Sequence, residues 1–90
     1  MYDIPMRIER CKTREGYKVT PEEKLVFDLQ KLKRNPAIVL YCWTPFVAAC
    51  KYKGVDVIIH RYGELQFKME NDITRVRDLS GEIYTVLCCL

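Results

Sequence analysis

The chain predicts an α+β fold: a two-layer sandwich in which a mainly antiparallel sheet, ordered β-α-β-β-β-β-α, carries two amphipathic helices on one face. Three observations lead there. Val55, Val57 and Ile59 alternate with polar positions, as do Leu65, Phe67 and Met69, which marks two strands with one buried side each. Thr20-Pro21-Glu22-Glu23 reads as a helix start, and Ile73 to Leu90 carries a second helical stripe. Ninety residues, 49% of them hydrophobic and 30% charged, suit one ordinary globular domain spanning 1–90, with neither a repeat nor a low-complexity tract.

The first strand is expected from Ile4 to about Cys11, where Ile4, Met6 and Ile8 alternate with Pro5, Arg7 and Glu9. Pro5 lacks the N–H that a central ladder needs, so this strand belongs at an edge. Lys12 to Lys18, with Gly16 and Tyr17, reads as an exposed basic loop. The helix that follows is expected to run to Arg34. Thr20 caps it, Pro21 sits in its first turn, Glu23 completes a capping box, and Asn35-Pro36 stops it. Leu25, Val26, Leu29 and Leu32 form its apolar stripe. Phe27 lies off that stripe and is expected to pack on a neighbouring loop.

Ala37 to Trp43 is apolar on both sides of a strand, which calls for a central position or for a partner over the outer face. Thr44-Pro45 can start a helix, but Phe46, Ala48, Cys50 and Tyr52 alternate, and a strand is expected here. Only Lys53-Gly54 then separates it from Val55, which favours an antiparallel meander.

The alternation across Val55–Met69 fixes a register, because opposed residues project to the same face. Ile59 must oppose Leu65, Val57 must oppose Phe67, and Val55 must oppose Met69. The loop is then Arg61-Tyr62-Gly63, with Gly63 where a positive φ is needed. The outer face of this hairpin pairs Asp56 with Lys68 and His60 with Glu64, around Ile58 and Gln66. Glu70-Asn71-Asp72 caps the last helix, on which Ile73, Val76, Leu79, Ile83, Val86, Leu87 and Leu90 share an arc of roughly 140°.

Function classes narrow by exclusion. The uncharged stretch Pro36–Cys50 is fifteen residues, short of the roughly 20 that span a bilayer. The N-terminus lacks the basic and apolar segments of a signal peptide, so a cytoplasmic location and no membrane partner are expected. His60 faces Glu64, but no Ser or Cys is placed to exchange a proton with it, and Asp56 lies about 13 Å away along the strand. No catalytic residues are assigned. The five cysteines lack the paired spacings of a closed metal site, so no metal or cofactor is expected. Cys88 and Cys89, on the polar side of the last helical turn, are the candidate reactive thiols and give a thiol or metal protein as a third reading.

The net charge of +3 is concentrated early: residues 1–34 hold nine Lys/Arg against six Asp/Glu, and the remainder holds six of each. Arg7, Arg10, Lys12, Arg14 and Lys18, with Tyr17 between them, form the candidate nucleic-acid strip. A solvated basic edge that discourages strand-to-strand aggregation accounts for the same residues. The favoured expectation is a small non-catalytic domain that acts through protein association, with itself or within a larger complex. Trp43, Phe46 and Ile58 are its candidate contact residues, because the apolar surface exceeds what two short helices cover.

Overall fold

A computed structural model describes residues 5–10, 16–23, 26–68 and 72–87. Six antiparallel strands form one open sheet, β1 (Met6–Arg10), β2 (Gly16–Pro21), β3 (Ile38–Trp43), β4 (Val47–Tyr52), β5 (Val55–His60) and β6 (Leu65–Lys68), in the spatial order β1-β2-β6-β5-β4-β3. Two helices complete a mixed α+β fold: α1 (Gln30–Arg34), little more than one turn, and α2 (Ile73–Leu87).

The β5–β6 hairpin has the register that alternation requires. Val57 opposes Phe67 and Ile59 opposes Leu65; the expected partner of Val55, Met69, lies outside the described residues. The Gly63 amide donates to the His60 carbonyl and the His60 amide to the Glu64 carbonyl, both at 2.9 Å, closing a three-residue loop. Gly63 has φ of 105°, a conformation that a side chain would strain.

Val19, Val57, Ile59, Leu65 and Phe67 form one continuous apolar face, on which α2 lays Val76, Leu79, Ile83, Tyr84 and Leu87. Four of those five α2 positions belong to the predicted stripe; Tyr84 and the equally buried Ser80 do not. Ser80 lies on this face because its hydroxyl is satisfied within the helix, donating to the Val76 carbonyl at 2.6 Å. Asp72 caps the helix as expected, its Oδ1 accepting from the Thr74 amide at 2.9 Å. Glu70, Asn71 and Leu90 lie outside the described residues.

The structure corrects the expected order between residues 12 and 34. Gly16, Tyr17 and Lys18 belong to β2, not to a loop, and Thr20-Pro21 ends that strand, not a helix start. The Thr-Pro pair satisfies either role locally. The sheet decides, because β2 inserted between β1 and β6 buries Val19 completely and pairs both neighbouring edges. Pro21 sits at the strand end, where a missing N–H is tolerated, and the Glu22 amide reaches the Pro5 carbonyl at 3.0 Å. Among the described residues of this segment, helix is retained only from Gln30 to Arg34. Burial around it is the reverse of the helical expectation: Val26 is 56% exposed and Phe27 only 2%. Phe27 is held by its amide, which donates to the Arg61 carbonyl at 2.8 Å, and its ring meets Tyr84 at 5.4 Å between centroids. It therefore packs on a neighbouring loop, as expected.

Of the two alternatives expected for β3, the structure removes the central position: β3 is an edge strand. It also carries an irregularity. Leu40 opposes Cys50 while Cys42 opposes Ala49, so Tyr41 is an extra residue, a β-bulge. Segment 47–52 is a strand, as expected.

Candidate functional site

Alternation assigns every strand residue a face, and the face opposite α2 carries no helix among the described residues. From one edge to the other it presents Arg7 and Glu9 on β1, Lys18 and Thr20 on β2, Glu64, Gln66 and Lys68 on and before β6, then Ile58, Val47, Ala49, Val39 and Cys42 on β5, β4 and β3. The face is thus divided. The β1-β2-β6 half is charged with both signs, while the β5-β4-β3 half is apolar, with Asp56 and Lys51 paired at its far end and His60 at the turns.

Ile58 stands in the middle of the apolar half, half-buried by its neighbours. Val39 (55% exposed) and Tyr41 (59%) lie along its outer strand, and Tyr41 donates to Asp56 Oδ1 at 3.3 Å across the same surface. Phe46, 67% exposed, projects from the β3–β4 turn at its end. That turn is fixed by Thr44, whose Oγ1 accepts from the Val47 amide at 2.9 Å and the Phe46 amide at 3.2 Å. Trp43 does not join them. The bulge at Tyr41 resets the alternation and sends Trp43 to the helix-bearing face, where its Nε1 donates to the Leu29 carbonyl at 2.9 Å and the Lys33 ammonium stands 3.7 Å above its ring. Of the three candidate contact residues, Ile58 lies on the apolar half-face, Phe46 stands at the turn that ends it and lines a recess with Val47, and Trp43 serves the opposite face.

The basic strip is split in the same way. Arg7 and Lys18 lie on the outer face; Arg10 opposes Tyr17, whose own partner Phe67 places the pair on the helix-bearing side. Lys12 and Arg14 lie outside the described residues. Lys18 Nζ is 3.2 Å from Glu64 Oε1, and this bond raises the lysine pKa further above its usual value. Arg7 stands 3.7 Å from Glu9. Of the basic strip, the two described cations on the outer face, Arg7 and Lys18, therefore have an acid beside them.

Glu64 gathers more than one partner. Tyr62 donates to its Oε2 at 3.2 Å, and His60 Nε2 lies 3.7 Å from the same oxygen with its ring stacked on Tyr62 at 5.2 Å. Burial and the adjacent carboxylate raise the Tyr62 pKa. The expected cross-strand pair is present, but Glu64 is buried rather than exposed, because Lys18 and Tyr62 cover it. The cluster is a closed set of hydrogen bonds and charges.

Cys88 and Cys89 lie outside the described residues. Of the described cysteines, Cys42 is exposed on the apolar half, and Cys50 is buried, its thiol pushed up to about 11 by burial and by Asp56. Among the described residues no three His, Cys, Asp or Glu side chains come together as a metal site, and no helix is long and apolar enough to cross a membrane.

Two recesses of about 390 Å³ each flank Arg61 at the turn end of the sheet. One is lined by Val26, Phe46, Val47, His60, Arg61 and Tyr62; the other lies on the helix side, between Val26 and Trp43. Sequence reasoning missed Arg61, Tyr62 and Val26 as surface features. Arg61 and Tyr62 read only as loop residues, and Val26 as part of a buried helical stripe. No protein-family model, no curated protein and no solved structure matches the chain.

Proposed function

We propose that this chain is a non-catalytic association module whose uncovered apolar half-face, on β5, β4 and β3, is covered by a second copy of itself. The observation that carries this reading is the division of the outer face: Val39, Tyr41, Cys42, Val47, Ala49 and Ile58 adjoin one another, with the Lys51–Asp56 pair at their far end, while the other half is charged with both signs. Contiguous exposed apolar surface on a small domain marks interaction sites. The two edges differ in the same sense. Pro5, Arg7, Glu9 and Arg10 guard the β1 edge, whereas Ile38 to Trp43 on the β3 edge holds no charged residue. A surface without net charge selects no acidic or basic partner, and an apolar patch is complementary to its own copy under a two-fold axis.

Three strands by six residues cover roughly 15 by 20 Å, which is small for a permanent interface and sized for a reversible one. Cys42 offers an internal probe. Its alkylation, followed peptide by peptide, is expected to slow as protein concentration rises and to recover its dilute rate in Ile58→Lys. Equal rates at all concentrations count against the reading. The nucleic-acid alternative has weaker support, because the outer-face cations Arg7 and Lys18 each have an acid beside them.

A further inference from the structure

The recess between Val26, Phe46, Val47, His60, Arg61 and Tyr62, which meets the apolar sheet face at Val47, has the parts of a ligand site that the core does not require. Its walls are apolar and aromatic, and its volume of about 390 Å³ falls within the range of small-molecule clefts. The walls are also held in place. Arg61 is pinned on both sides through its backbone, its amide donating to the Phe46 carbonyl at 2.9 Å and its carbonyl accepting from the Phe27 amide. Tyr62 is fixed by its stack on His60 and its hydrogen bond to Glu64, and Phe46 by the Thr44 turn. Exposed aromatic side chains that are ordered before binding lose little freedom when a ligand arrives.

The electrostatics select the sign of that ligand. Glu64, which is bonded to the lining residue Tyr62, already has Lys18, His60 and Tyr62 as partners. Asp28, in the adjoining recess, accepts from the Gln30 amide at 3.1 Å. The Arg61 guanidinium is exposed and has no ion-pair partner among the described residues. One free cation over an apolar recess fits a planar acid, since a guanidinium meets a carboxylate through two parallel hydrogen bonds.

We propose that this recess binds a small aromatic carboxylate, its ring lodged against Phe46 and Tyr62 and its carboxylate paired with Arg61.

The test is a titration followed by two-dimensional ¹⁵N–¹H NMR, with 2-naphthoate as the probe and its uncharged isostere 2-naphthamide as the control. Saturable binding near or below about 1 mM is expected for an acid of this size, with shifts concentrated at Val26, Phe46, Val47 and His60 to Tyr62. The amide should bind roughly five- to tenfold more weakly, the loss of one charge-assisted contact. Arg61→Gln should abolish that preference while leaving the rest of the spectrum in place, and Phe46→Ala should weaken both probes alike. Absence of saturation up to several times the expected dissociation constant overturns the proposal. So does equal affinity for acid and amide, or a preference that survives in Arg61→Gln. Repeating the titration with Ile58→Lys, which lies outside the recess, separates this site from the association surface: Val47 borders both, and the monomeric Ile58→Lys chain tests the recess without a second copy over it.

Discussion

Replacing Tyr84 with phenylalanine isolates the bond that joins α2 to the turn of the β5–β6 hairpin. The Tyr84 hydroxyl is fully buried and donates to the Gly63 carbonyl at 3.0 Å. Burial, with a smaller contribution from the Glu64 charge, holds its pKa far above the usual phenol range, so it is a donor at neutral pH. Tyr84→Phe keeps the ring, its contact with Phe27 and nearly all of its apolar area. What it removes is a buried donor, leaving the Gly63 carbonyl without that partner. Such a change costs about 1–3 kcal/mol, and a domain of this length loses roughly 4–8 °C of melting temperature per kcal/mol. Urea unfolding is the direct assay, with a lower midpoint and an unchanged slope as the expected signature. Tyr41→Phe is the control, since it deletes an equally real hydroxyl contact, to Asp56, at an exposed position, where the expected change stays within about 0.5 kcal/mol. Equal effects from the two substitutions, or a Tyr84→Phe loss below about 0.5 kcal/mol, would refute the view that α2 is docked through this bond.

Three further outcomes follow from the packing and the charges. A Cβ at Gly16 would overlap the Phe67 carbonyl oxygen, and φ there is 134°, so Gly16→Ala should cost at least about 2 kcal/mol and loosen the β2–β6 ladder first, seen as faster amide exchange in Lys18 and Gln66. Cys50, with its thiol near 11, should resist alkylation at pH 8 while Cys42 reacts; because the unfolded thiol ionises earlier, near 9.0, the folded state should lose stability as pH rises from about 9 to about 11, and Cys50→Ala should flatten that slope. Glu82 accepts hydrogen bonds from Lys53 and Tyr52, and its pKa is lowered, chiefly by the lysine; this contribution is complete above the unfolded value of 4.5 and is lost as pH falls through the lowered folded value, so the acid limb of a pH–stability curve should be shallower in Glu82→Gln.

The parts of the fold that could be read in the sequence are those where local pattern and tertiary demand coincide. The β5–β6 hairpin is over-determined, because two alternating runs, a loop length and Gly63 all require the same register. α2 is readable for the same reason, a long stripe with its cap in place. Pro5 likewise marks the β1 edge. Thr20-Pro21-Glu22-Glu23 failed because a capping box carries no information about neighbours: β6 needed a partner along its free edge, and β2 supplies it. Trp43 failed for a subtler reason. An uninterrupted period of two places it beside Ile58, and a single bulge residue, invisible in a run where every side chain is apolar, turns it to the other face. The candidate site was readable to the same degree. Ile58 follows from alternation, but Phe46, which alternation groups with Ala48, projects instead from a turn, and the recess around Arg61 depends on the chain folding Val26 and Phe27 against a turn some 35 residues away, which no local pattern encodes.

The central claim is that the apolar half of the outer face is covered by a second copy, and native mass tests it most directly. Sedimentation velocity in reducing buffer, from about 1 µM to about 1 mM and at low and high salt, should show the 10.7 kDa chain passing reversibly to twice that mass. The transition should be indifferent to salt, because the buried surface is apolar, and Ile58→Lys should hold the chain at 10.7 kDa throughout. A wild-type chain that remains monomeric over the whole range, or that associates only at low salt, would contradict the account.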